Sequence, residues 1–170
     1  MQEKIWYEML HFKHGERYLC YLTDRQRTVR KWMKIGTLVF SGSGILGWKF
    51  WDIFPLIFSS LTAVIQLVTL VENSIVVSES ETDKIGDLRL KYIQHFHDLE
   101  QLWMAYYERE ELSETHAAER FHALRIARRE IDAQENKLDV KEYAGLRDKA
   151  EKDTNEYIQL YHSISHEPNQ

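Results

Sequence analysis

Cysteine and proline are scarce in this 170-residue chain: Cys20 is the one thiol, and there are two prolines. A single thiol excludes an internal disulfide and any thiolate metal cluster, which suits a reducing compartment. With two prolines and seven glycines, little interrupts long helices. A basic excess is also lacking. The net charge is −5, so the composition does not announce a nucleic-acid binder. The mean hydropathy is −0.49. Yet two stretches, 35–48 and 54–71, contain no acidic or basic side chain.

Those stretches organise the sequence reading. The second, FPLIFSSLTAVIQLVTLV, is eighteen residues long, and as a helix it extends ~27 Å, close to the ~30 Å hydrocarbon layer of a bilayer. The first reaches a full span if Trp32 and Trp51 form its ends, with Lys34 and Lys49 snorkelling outwards. Trp32, Trp48 and Trp51 then sit where an aromatic belt would lie. Asp52 and Pro55 mark a turn between the two. The expectation is a transmembrane hairpin with spans at about 33–51 and 54–77; the alternative is a buried hairpin in a soluble bundle. Arg17, Arg25, Arg27, Arg30, Lys31 and Lys34 precede the first span, and Lys84, Arg89 and Lys91 follow the second. Lys49 alone lies between, which predicts that both termini are cytoplasmic. Residues 1–32 are charged and aromatic and predict no targeting peptide.

No run alternates with period two, so the expected fold class is all-α: a membrane protein with a long N-terminal helix (1–32), the transmembrane hairpin (33–77), a cytoplasmic helical domain (78–166) and a disordered tail (167–170). Ile5, Met9, Phe12, Leu19 and Leu22 recur at helical spacing, with Gly15 interrupting. Ile85, Leu88, Tyr92, Phe96, Leu99, Trp103 and Tyr106 form a second apolar stripe. Ser113 reads as the cap of the next helix, which carries Phe121, Leu124 and Ile131. Asp139 and Glu142 suggest a capping box before a last helix with Tyr143, Leu146, Ala150, Tyr157, Leu160 and Ile164.

Chemistry-bearing patterns are few. Ser59, Thr62, Gln66, Thr69 and Asn73 are spaced by three, four, three and four residues, placing five polar groups on one helical stripe. They either line an aqueous pore between subunits or bond neighbouring helices. Glu72 would ring the cytoplasmic exit of such a pore. Arg120, Arg125, Arg128 and Arg129 crowd one helix, and His122, Arg125 and Arg129 share a face. That row is a candidate phosphate-binding site. Intrahelical pairing with Glu119, Glu130 and Asp132 is the reading preferred on the residues alone. Two Glu-x-x-His pairs, Glu8–His11 and Glu119–His122, lack the further glutamates of a di-iron site. His162 and His166 have no third ligand. No metal, cofactor or catalytic residue is assigned, and the chain is not expected to be an enzyme.

The arginine-rich approach DRQRTVRKWMK, the proline-led run FPLIFSSLTAV and the helical segment beyond them resemble the SLATT-domain family. These are two-transmembrane bacterial effectors found beside nucleotidyltransferases in antiphage conflict systems. The resemblance implies a homo-oligomeric pore, expected to be a tetramer, in the bacterial inner membrane and in contact with lipid. It implies gating by a nucleotide or short oligonucleotide from a partner nucleotidyltransferase, with depolarisation and abortive infection as the outcome. The alternative is a non-conducting, membrane-anchored helical adaptor that recruits a cytoplasmic partner.

Overall fold

The computed structural model describes residues 1–51, 60, 63, 66, 78–138 and 140–161, the side chains of 39–51 and Glu79 excepted. Among these residues every regular element is helical. Helix α1 covers Gln2–Trp51, α2 Glu79–Trp103, α3 Glu114–Leu138 and α4 Ala144–Tyr161. A π-helical turn, Met104–Glu108, follows α2.

The all-α expectation is met, and the transmembrane hairpin is corrected. Among the described residues, no helix is long and apolar enough to cross a membrane. The proposed first span, 33–51, is the C-terminal part of α1. Any eighteen-residue window over its uncharged stretch takes in Lys34 or Lys49, and the stretch itself holds Gly36, Gly42, Gly44, Gly47, Ser41 and Ser43. Glycine and serine add little transfer free energy, and a lysine at a helix centre costs about 2.5–3.5 kcal/mol. Freedom from charge is not apolarity. The proposed second span, 54–77, lies outside the described residues except for Ser60, Ala63 and Gln66, which are helical and exposed.

The chain divides into two compact units, residues 1–23 with 83–170 and residues 24–82. In the second unit, Ser78 and Glu81 form a capping box at the start of α2. The Glu81 amide donates to Ser78 Oγ at 3.2 Å, and the Ser78 amide donates to Glu81 Oε2 at 3.0 Å. The Arg30 guanidinium donates to Thr82 Oγ1 at 2.8 Å, which ties α1 to that turn.

The first unit is a helical bundle. From α1, Ile5, Met9, Phe12, Leu19 and Leu22 are buried; from α2, Ile85, Leu88, Tyr92, Phe96, Leu99, Leu102 and Trp103. Their three- and four-residue spacings put each set on one face, and the two faces meet. Trp6 and Trp103 stack at 5.1 Å between ring centroids. Helix α3 buries Ala117, Phe121 and Ile131, and its first turn is capped as expected: the His116 amide donates to Ser113 Oγ at 3.4 Å. Helix α4 buries only Ala150 and Thr154 and leans on polar and aromatic pins. Tyr157 donates to Glu100 Oε1 at 2.7 Å, Tyr21 donates to Asp153, and Lys13 lies over the rings of Phe96 and Tyr157 at 4.8 and 4.3 Å. Leu160, expected on the inner face, is 61 % exposed. Asp139 lies outside the described residues, and α4 starts at Ala144.

Candidate functional site

Four charged or polar side chains interrupt the apolar stripes of this bundle. On α1, Glu16 falls between Phe12 and Leu19 and is 5 % exposed. Two nitrogens of Arg89 hold its Oε1, Nε at 3.1 Å and Nη2 at 2.9 Å, while Lys13 and Arg17 approach Oε2 at 3.7 and 3.6 Å. On α3, Arg128 and Glu135 continue the stripe Ala117, Phe121, Leu124 and Ile131 at intervals of three and four. Arg128 pairs with Glu8 at 2.7 Å and Asp132 at 3.3 Å. Glu135 accepts from the Tyr92 hydroxyl at 3.0 Å. Burial, and then the Glu135 carboxylate, push the Tyr92 phenol above its usual range, which keeps it a donor. The fourth group is His95, buried beside Phe12.

Next to Tyr92 lies a cavity of about 360 Å³. Positions 11, 14, 15, 18 and 19 share one face of α1 and supply His11, His14, Gly15, Tyr18 and Leu19. Tyr92 comes from α2, Glu135 and Asn136 from the end of α3, Val140 and Glu142 from the following loop, and Arg147 from the first turn of α4. Tyr18 fixes that loop. Its hydroxyl donates to the Lys141 carbonyl at 2.6 Å and accepts from the Tyr143 amide at 3.0 Å. Burial, followed by the nearby Arg128 charge, lowers the His11 pKa and favours the neutral imidazole.

Gly15, the residue that breaks the sequence pattern, positions the wall of this cavity. A Cβ there would lie 2.2 Å from Tyr92 Cε1 and 2.7 Å from Cδ1. Only glycine lets the Tyr92 ring rest on the α1 backbone. Gly15→Ala must displace that ring and its bond to Glu135, at an expected cost of about 1–3 kcal/mol. Urea unfolding of the two proteins measures it; an unchanged or raised midpoint would refute the close approach.

His122, Arg125 and Arg129 do come together on one exposed face of α3, away from the cavity lining. Among the described residues they make no ion pair with the acidic neighbours expected to hold them; it is Arg128 that pairs with Asp132. Gln66 is helical and exposed; Ser59, Thr62, Thr69, Glu72 and Asn73 lie outside the described residues, as do His162 and His166. Of the two Glu-x-x-His pairs, Glu8 is engaged by Arg128. No metal-holding cluster of histidine, cysteine or carboxylates occurs among the described residues. Sequence reading misses the cavity, although Gly15 within a helical stripe is a visible sign of it.

No family model, curated protein or solved structure matches the chain.

Proposed function

We propose that the helical bundle is a ligand-responsive module whose cavity takes one nucleotide, free or as part of a short oligonucleotide. The observation that carries this reading is a set of unengaged polar groups around a space of ligand size. The side chains of His14, Asn136, Glu142 and Arg147 line the cavity and make no hydrogen bond or ion pair among the described residues. At about 360 Å³ the cavity falls within the ~300–1,000 Å³ of small-molecule sites. Its aromatic walls, Tyr18 and Tyr92, suit a flat heterocycle. Asn136 and Glu142 offer the donor and acceptors that a base edge requires, and Arg147 offers a fork for phosphate. A nucleotidyltransferase is the class of enzyme that would supply such a ligand, in keeping with the SLATT resemblance.

Calorimetric titration of the full chain with AMP, GMP, CMP and UMP, and with inorganic phosphate alone, tests the reading. At least one nucleotide should bind more tightly than phosphate, and Arg147→Glu should weaken it about tenfold or more, since hydrogen bonds to charged groups contribute ~1.5–3 kcal/mol. Absence of binding at millimolar nucleotide, or binding unchanged in Arg147→Glu, would overturn it.

A second reading, a helical adaptor, rests on the exposed and unpaired row His122, Arg125 and Arg129. The double change Arg125→Glu, Arg129→Glu separates the two. Cavity binding should survive it, whereas recruitment of an acidic partner through α3 should not.

A further inference from the structure

Phe12 is fully buried and enclosed by groups of unusual polarity. The His95 ring lies 4.1 Å away between centroids, Tyr92 4.9 Å and His11 5.5 Å, and the Arg128 guanidinium sits over the ring at 5.5 Å. His95 is 4 % exposed, and its Nε2 has no hydrogen-bond partner. The bundle thus places a buried imidazole, His95, and a permanent cation on one phenyl ring at its centre, with the exposed His11 at the ring's edge.

We propose that His95 is an acid-sensitive latch: uncharged it packs against Phe12, and protonated it loosens the bundle. The reason lies in what surrounds the ring. A neutral imidazole can leave one nitrogen unpaired at modest cost, but an imidazolium needs acceptors for both N–H groups. Glu8 on α1, Asp98 on α2 and Asp132 on α3 face His95, and so does the cation Arg128. Glu8, Asp132 and Glu135 face His11, again with Arg128. Arg128 already engages Glu8 and Asp132, and Tyr92 engages Glu135, so most of that negative charge is committed. A second cation, at His95, therefore meets desolvation that the carboxylates do not offset. Burial, the largest influence on both histidines, lowers each below the ordinary 6.5.

The sign follows from linkage. The unfolded chain takes up these protons near pH 6.5, before the folded bundle does. Stability is therefore full above pH 6.5 and falls as pH drops from there towards the lowered folded values. Within that window His95 raises the unfolding constant by up to about tenfold for each unit the pH falls.

The test needs no ligand, so its outcome is independent of the cavity reading. Urea unfolding of the full chain, followed by far-ultraviolet circular dichroism, is measured from pH 7.5 to 5.0. The wild-type midpoint should fall with pH, and His95→Phe should show a shallower fall. Equal slopes would overturn the latch. If His95→Phe does not fold, NMR titration of the His95 ring in the wild-type chain decides. Titration below 6.5, coupled to changes in the Trp6 and Trp103 signals, supports the proposal; titration at or above 6.5, or without those changes, overturns it.

Discussion

Phe12→Ala should destabilise the bundle by about 3–5 kcal/mol, the usual range for deleting a fully buried aromatic ring. Phe12 contributes more than its own area. It is the surface on which His95, Tyr92 and Arg128 rest, and all three lose a partner when the ring is removed. Tyr92 also forms the cavity wall, so any nucleotide affinity should fall with the stability. Urea denaturation checks the first effect and calorimetry the second. A loss below about 1 kcal/mol would show that the cluster around Phe12 is not the centre of the core.

Arg128→Met has the next largest expected effect, about 2–3 kcal/mol. Breaking a fully buried pair from one side costs about 3–5 kcal/mol, and partial solvent screening reduces that figure here. The side chain of Arg128 is 29 % exposed and that of Glu8 14 %. Most of the loss comes from Glu8 left without its cation. Glu8→Met added to Arg128→Met should therefore recover much of the stability, because two apolar side chains of similar length can replace an ion pair. A double-mutant cycle in urea measures the coupling. Strictly additive single losses would show that the pair is idle.

These two residues also show what could be read in advance. The inward stripe of α2 is visible from spacing alone, because Ile85, Leu88, Tyr92, Phe96, Leu99 and Trp103 are all apolar or aromatic and all buried; its last member, Tyr106, falls in the π-helical turn and is only half-buried. Ser113 was visible as a cap for the same local reason. Arg128 was visible as a charge but not as an inward one. Its partner Glu8 lies 120 residues away, and Arg89 meets Glu16 across 73. No local pattern marks a polar residue that finds its neutralising partner only after folding. The capping box Ser78–Glu81 is legible in the string SESE, where a serine precedes a glutamate by three residues. Gly15 was read as a fault in a helix because the ring that needs the space comes from Tyr92, on another helix. The cavity draws on all four helices and a loop, so it has no contiguous signature. The transmembrane reading failed for a different reason: it counted missing charges in 35–48 and did not weigh the glycines and serines there.

The central claim, that the cavity among the four helices receives a nucleotide, is tested most directly by NMR titration of the full chain with the tightest-binding nucleotide. The account predicts saturable shifts of the Gly15 amide, the Tyr92 ring and the Asn136 side-chain amide with one common dissociation constant. Shifts confined to the α3 row of His122, Arg125 and Arg129, with Gly15 and Tyr92 unmoved at saturation, would contradict it.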